Sequence, residues 1–256
     1  MNKPMVTPVI LVMNDEYWLP YALESVRGLF KRYVIYDVGS TDNTPNIIDW
    51  FVEKEKNRAG LYVRSLPILD PAIQGIFRNS MIAEAQTDWY FILDGDEVYN
   101  KQDLLNGLIQ ADTHMRKFDK GEDRIYGVCM RQEFSKDLTQ AYDKLRGHHR
   151  LYHRTAIWKG THPGEEAVIT QRAHREFSFE VLCYHFHNAL RTSLQEETVP
   201  GRVRRKKKNT YHPGTLKKVE EVMVGNLLEM LPILQKPIEN FAVNPDLERL
   251  QHAIRN

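Results

Sequence analysis

The stretch Trp89-Tyr90-Phe91-Ile92-Leu93-Asp94-Gly95-Asp96-Glu97 constrains the fold of this chain more than any other. It opens as an unbroken aromatic and aliphatic run, the pattern of a strand buried on both faces. It then stops in three carboxylates around a glycine. Clustered carboxylates repel one another and must stay solvated or find a cation, so packing alone gives no reason for such an ending. Asp94 and Asp96, one small residue apart, can converge on a hard divalent ion at a strand's carboxyl end. Magnesium takes one or two carboxylates and leaves its other positions to water and substrate phosphates. The competing reading of an Asp-x-Asp taken alone is an acidic turn after an ordinary strand.

The residues before this stretch weigh against the plain turn. Pro8 to Met13 reads as a buried strand closed by Asn14-Asp15-Glu16. Leu19, Leu23, Val26 and Leu29/Phe30 recur at helical spacing, and Gly28 with Lys31-Arg32 marks the helix end. Tyr33 to Tyr36 is a second strand, running into Asp37-Val38-Gly39-Ser40-Thr41-Asp42-Asn43-Thr44-Pro45. Thr44 with Pro45 predicts a helix start, with Thr44 as N-cap. Leu61 to Val63 is a third strand, and a helix around Arg78 to Ala85 leads into Trp89. Strands alternating with helices predict an α/β chain with a mainly parallel sheet covered on both faces. Such sheets bind ligands beyond the carboxyl ends of their strands. Asp37 and Asp94 both fall at such ends.

The second half is less regular. A helix through Leu104, Leu105, Leu108 and Ile109 precedes a charged connector, and Arg124 to Phe134 predicts a strand. Tyr142 to Gly147 reads as a polar loop. Arg150 to His153 and Ala156 to Trp158 read as a hairpin, with a glycine-rich loop from Lys159 to Glu166 beyond it. Glu180 to Phe186 is another strand, and His185 and His187 share one face of it if it stays extended. The run Arg202-Val203-Arg204-Arg205-Lys206-Lys207-Lys208 is the one sharp charge feature. It is either a solvated loop, a lid over a diphosphate, or a guide for a polyanionic acceptor such as DNA or an anionic lipid surface. Thr215 to Leu231 predicts an amphipathic helix stopped near Pro232.

Over the whole chain the charges nearly cancel, 35 basic against 34 acidic side chains, so overall charge marks neither a nucleic-acid binder nor a membrane-surface protein. Cys129 and Cys183 give no disulfide framework and fit a reducing compartment, which points to the cytoplasm. The apolar stretch from Val6 to Met13 is too short to span a membrane, which takes about 20 residues. No transmembrane segment is expected.

Four segments together resemble the inverting family 2 glycosyltransferases of the GT-A fold. They are the first strand with Asn14-Asp15-Glu16, then Tyr36 to Thr44, then Phe77-Arg78-Asn79-Ser80 with Asp88-Trp89, and Leu93 to Glu97. Trp158-Lys159-Gly160-Thr161-His162 looks like that family's Trp-x-Gly-x-x-His-Glu segment. Here Pro163-Gly164 separates the histidine from Glu165 and Glu166, so either glutamate can correspond.

The resemblance implies a GT-A, Rossmann-like fold with a mixed, mainly parallel sheet flanked by helices. It would occupy residues 1–190, with a basic loop and helical extension over 191–256. It implies transfer of a sugar from a nucleotide diphosphate donor, a UDP-sugar, to an acceptor hydroxyl, with Mn2+ or Mg2+. Asp37 would accept a hydrogen bond from the base, or serve as a turn-forming residue before Gly39. Asp42 would touch the nucleotide or cap the next helix. Arg78 would hold the nucleotide, its planar donors suiting anionic oxygens, or be a surface helix arginine. Asp94 would approach the ribose or the metal, and Asp96 would ligate it. One of His185 and His187 would complete that site; a zinc site built on both is disfavoured by the hard-oxygen surroundings. Glu165 and Glu166 are the candidate general bases, or else solvated surface charge, with Glu97 a third candidate. The acceptor is a glycan, a lipid-linked sugar or DNA held through Arg202–Lys208, a modified base included. Two other classes compete, a sugar-nucleotide pyrophosphorylase and a non-catalytic nucleotide-sugar-binding protein. The first would carry a glycine-rich basic loop where this chain has Asn14-Asp15-Glu16.

Overall fold

The computed structural model describes residues 5–56, 60–66, 74–118, 124–159, 166–168, 175–194, 214–223 and 226–255. Four parallel strands form one half of the main sheet: β1 (Val6–Val12), β2 (Tyr33–Val38), β3 (Leu61–Leu66) and β4 (Trp89–Leu93). Between them run α1 (Leu19–Val26), α2 (Thr44–Lys54) and α3 (Gln74–Ala85). After β4 come β5 (Glu97–Tyr99), α4 (Lys101–Phe118), β6 (Arg124–Glu133), β7 (Gln140–Tyr142), β8 (Arg146–His153), β9 (Ile157–Lys159), β10 (Glu166–Val168) and β11 (Arg175–His185). The eight strands of the sheet lie in the order β3-β2-β1-β4-β8-β6-β11-β5. This is the expected mixed, mainly parallel sheet flanked by helices.

Alternation along the strands sorts the core. Ile10, Val12, Ile35, Phe91 and Leu93 face one side, packed with Leu19, Leu23, Ile47 and Phe51 of α1 and α2 and Leu104 and Leu108 of α4. Val9, Val34, Tyr36, Tyr90 and Ile92 face the other, under Met81 and Ala85 of α3. The chain builds outward from β1 to β3, then crosses to β4 on the other side of β1. The sheet's order therefore reverses between β1 and β4, which places a crevice at their carboxyl ends.

Several expectations need correction. Arg150–His153 and Ala156–Trp158 do not form a hairpin. β8 is a long strand paired antiparallel with both β4 and β6, because Leu151 and Tyr152 bury between them, and β9 pairs instead with β10. The expected loop at Tyr142–Gly147 is shorter, Asp143 to Leu145, between the end of β7 at Tyr142 and the start of β8 at Arg146. The single helix from Thr215 to Leu231 is broken into β12 (Leu216–Lys218), the short α5 (Val219–Val222) and α6 (Leu227–Met230). Leu216 pairs with Tyr142 on β7, and a capping box between Asn226 and Glu229 restarts the helix. Thr44 is not the N-cap of α2. Its amide donates to Asp42 Oδ1 at 2.9 Å and its hydroxyl accepts the Asp15 amide at 2.8 Å.

The C-terminal segment ends in α7 (Pro245–Arg255). Leu227, Leu228, Leu231, Leu234 and Leu247 share an apolar cluster with Trp18, Tyr21 and Phe186. Trp18 and Phe186 stack with centroids 3.9 Å apart, tying α1 to the chain just beyond β11. Cys129 and Cys183 are unpaired and buried. Among the described residues, no helix is long and apolar enough to cross a membrane.

Candidate active site

The crevice at the β1/β4 reversal is walled by two acidic turns. Gly95 lets them meet: a Cβ there would lie 2.8 Å from Asp15 Oδ2, so only glycine admits Asp15 at this distance. On the β1 side, Asn14 takes the left-handed conformation (φ 53°) and accepts the Thr41 amide at 2.8 Å. Glu16 accepts the Asn43 amide at 3.2 Å and the Ser193 amide at 2.6 Å. Asn14-Asp15-Glu16 thus pins both the loop after β2 and the segment after β11.

From Asp15 to Asp94 runs a continuous chain of charged and polar contacts. Arg191 spans Asp15 (2.5 Å) and Asp96 (2.9 Å). Asp96 Oδ1 lies 3.6 Å from His185 Nε2, and His185 Nδ1 lies 3.6 Å from Glu133 Oε1. Glu133 pairs with Arg131 at 2.6 Å. Arg131 Nη1 lies 3.4 Å from His148 Nδ1, and His148 Nε2 lies 3.0 Å from Glu97. Glu97 makes a short contact with Arg150, which also donates to Asp94 Oδ2 at 2.7 Å. Sheet register sets much of this, since His185 on β11 is the direct partner of Glu97 on β5 and of Glu133 on β6.

These neighbours decide the charge states. Burial alone would raise the Asp96 carboxyl, but Arg191 and His185 outweigh it and hold it well below the usual carboxylate range. Burial likewise opposes ionisation of Asp94, and Arg150 with Arg78 overcomes it. Glu97 is lowered in the same way, chiefly by Arg150 acting against burial. His185 is raised, because Asp96 and Glu133 outweigh the burial that disfavours its cation. His148 is pushed down to about 4, by burial first and Arg150 next. Neutral His148 then accepts from Arg131 at Nδ1 and donates from Nε2 to Glu97.

The residues expected from the sequence divide as follows. Asp96, His185 and His187 come together, each offering a ligand atom within 4.8 Å of the others. The two imidazoles stack at 5.3 Å, although β11 ends at His185 and His187 lies in the following turn. Asp94 falls in a neighbouring group with Glu97 and His148, which meets the same distance criterion. There the Arg150 guanidinium already supplies the positive charge. Arg78 lies on buried α3 surface rather than outside: Nη2 is 3.5 Å from Asp94, and the guanidinium sits 4.9 Å over the Trp158 ring. Its Nε and Nη1 have no hydrogen-bond partner.

Asp37 is buried at the end of β2, in register with Val12, and accepts the Ser40 amide at 3.1 Å. Burial raises its carboxyl, with the Ser40 contacts acting against that. Asp42 serves helix start and loop at once, accepting the Thr44 and Glu16 amides. Glu165 lies outside the described residues, as does Arg202–Lys208. Glu166 opens β10, opposite Lys159 of β9. Glu97 is fully buried and engaged by Arg150, His148 and Tyr99, which leaves it no side toward an incoming hydroxyl. That corrects its standing as a third base.

Sequence reasoning missed Arg150, Arg191, Glu133 and His148. The signal for Arg150 was present: a cation directly before Leu151-Tyr152, inside a strand that must bury, needs a carboxylate partner. Arg191 and Glu133 carry no comparable local mark.

A donor set of one carboxylate and two imidazoles suits a divalent transition ion. Asp96 Oδ2 is taken by Arg191 Nη1 at 2.9 Å, while Oδ1 faces His185 Nε2 at 3.6 Å. Asp96 Oδ1 and His185 Nε2 are therefore the atoms on offer to a cation, and His185 Nδ1 is buried without a hydrogen-bond partner among the described residues.

Known proteins resemble this chain over part of its length. Over 106 residues the chain is 26% identical to the SPbeta prophage-derived glycosyltransferase SunS of Bacillus subtilis (strain 168), a match covering 40% of this chain and 22% of SunS. The mannosyltransferase PcManGT of Pyrobaculum calidifontis, solved with GDP-Man and Mn2+, superposes with a TM-score of 0.50 at 15% identity, over 72% of this chain and 57% of that one. S. aureus TarS in complex with UDP gives a TM-score of 0.38 at 20% identity, over 51% and 36%. At 15% identity the PcManGT superposition speaks for a common fold alone, and the chain spans less than two thirds of each of these proteins. The model of glycosyl transferase family 2 matches residues 8–192, from β1 through both acidic turns to just past Arg191, and the chain belongs to that family.

Proposed function

We propose that the chain is a metal-dependent, inverting glycosyltransferase that moves a sugar from a nucleotide diphosphate donor, a UDP-sugar, to an acceptor hydroxyl. The observation that carries this reading is the convergence of Asp96, His185 and His187 beside Asp94 and Arg78, at the reversal point of the sheet. Family membership supports the reaction type.

Asp96, His185 and His187 would hold Mn2+ or Mg2+, which when bound supplies a Lewis acid for the charge developing on the diphosphate. Arg78 presents two unpartnered N–H groups beside Asp94, and its planar donors suit phosphate oxygens. Asp37, two strands from Asp94 along the same sheet edge, would accept from the base, its carboxylate fixed by Ser40. The acceptor oxygen bonds to the anomeric carbon as the bond from that carbon to the phosphate oxygen breaks, and the electron pair leaves with the nucleoside diphosphate. A single in-line displacement inverts the carbon. The acceptor's proton passes to Glu165 or Glu166, a step worth about 10²–10⁴-fold.

Thermal unfolding with nucleotides and Mn2+ tests the reading. A ligand at about 100 times its Kd adds about 2.7 kcal/mol, a rise of roughly 5–10 °C for a chain this size. UDP with Mn2+ should give such a rise, chelator should remove it, and Asp96→Asn should lose the metal-dependent part. A response to GDP and not UDP would correct the donor. Incubated with UDP-sugars and Mn2+, the protein should release UDP; release of pyrophosphate from UTP and a sugar 1-phosphate would instead indicate a pyrophosphorylase, and no turnover with either a binding protein.

A further inference from the structure

We propose that Glu133 is a positioning residue for the divalent ion: its carboxylate fixes the His185 ring so that Nε2, and not Nδ1, joins Asp96 on the metal. This inference rests on the reading of Asp96 as a metal ligand. His185 stands between two carboxylates on opposite edges of its ring, Asp96 on the Nε2 side and Glu133 on the Nδ1 side, each at 3.6 Å. Glu133 is buried, is the parallel-sheet register partner of His185, and is held by Arg131 at 2.6 Å. Its Oε1 stands at the Nδ1 edge of the ring and not at the Nε2 that faces Asp96, so it fits the role of orienting a ligand better than that of being one.

A histidine that binds a metal through one nitrogen donates its other N–H to a carboxylate or carbonyl, which fixes the tautomer and strengthens the ligand. Glu133 Oε1 is the acceptor placed for that role, and the unpartnered Nδ1 needs only a small approach to reach it. Arg131 holds the carboxylate in place. It also links this triad to His148 and Glu97, so the orientation of His185 is anchored in the sheet and not in the turn that carries His187. Of the two histidines, His185 is the one that the fold pre-orients.

The test is direct Mn2+ binding by the full-length protein, read from the free-ion electron paramagnetic resonance signal, with melting temperature measured alongside. Glu133→Ala should weaken Mn2+ binding about 10–100-fold, and Glu133→Gln, which keeps an acceptor oxygen but not the charge, should weaken it several-fold. His185→Ala should weaken it at least as much as Glu133→Ala, and adding Glu133→Ala to His185→Ala should change nothing further. A role confined to folding would instead lower the melting temperature in both backgrounds and leave the Mn2+ affinity of the folded protein intact. The proposal is overturned if Glu133→Gln binds Mn2+ like wild type, or if the two substitutions act independently. Wild-type protein that binds no Mn2+ would overturn the metal reading together with this one, whereas wild-type binding with an unaffected Glu133→Gln would overturn this one alone.

Discussion

His148 is held neutral by its surroundings, and that has a consequence for stability. Its pKa falls from the ordinary 6.5 to about 4, with burial and Arg150 outweighing the attraction of Glu97. Between these values the unfolded chain binds the proton and the folded one does not, so stability rises with pH across that window. The full effect is about 3 kcal/mol, lost as the pH falls from about 6.5 to about 4. His185 acts with the opposite sign: its pKa is raised, so its contribution is complete below about 6.5 and fades as the pH rises through the folded value. His148→Gln isolates the first effect, because the amide can still donate to Glu97 but cannot titrate. In urea unfolding between about pH 4.5 and 7.5, the wild-type acid decline should flatten in the variant. An unchanged decline would place the proton elsewhere.

The fit of α4 on β11 sets up a contest between helix propensity and packing. Gly107 lies inside α4, where alanine would ordinarily gain about 1 kcal/mol. A Cβ at this position would lie 2.1 Å from Val181 Cγ2, in the strand that carries His185. Overpacking of this kind costs about 1–3 kcal/mol, so Gly107→Ala should destabilise despite the better helix former. Adding Val181→Ala should return much of the loss, and equilibrium denaturation of the single and double variants measures both. The sequence made α4 legible as a helix and was silent about this contact. The same holds across the chain. Elements with one strong period, from β1 to β4, were readable because each buries its pattern against the nearest neighbours in sequence. The long helix expected over Thr215–Leu231 failed because Val219, Leu227, Leu228 and Leu231 reach common apolar ground from separate short segments, which a helical spacing rule cannot tell from one continuous face.

At the scale of the whole molecule, the carboxylates were legible and the groups that balance them were not. Asp37, Asp94 and Asp96 announce themselves because each ends a strand in its own stretch of sequence. Arg150, Glu133 and Arg191 reach the same crevice only after the sheet has brought β8, β6 and the segment after β11 beside β4 and β5. Arg191 depends further on the C-terminal segment. Asn244 is fully buried; its Nδ2 donates to the Leu190 carbonyl at 2.7 Å, while its Oδ1 accepts the amides of Asp246 (2.9 Å) and Leu247 (3.1 Å) at the start of α7. One side chain therefore caps the last helix and holds the residue beside Arg191, whose own carbonyl accepts the Tyr17 amide at 3.0 Å. Asn244→Ala removes both functions and should cost about 1–3 kcal/mol. Asn244→Asp keeps the cap acceptor but sets a carboxylate against the Leu190 carbonyl, so it should loosen only the segment around Arg191. In amide hydrogen exchange, Tyr17 and Ser193 should lose protection in both variants, while the first turn of α7 loses it only in Asn244→Ala. Full protection of Tyr17 and Ser193 in Asn244→Asp would mean that Asp15, Glu16 and Asp96 hold that segment without help from the C-terminal helix.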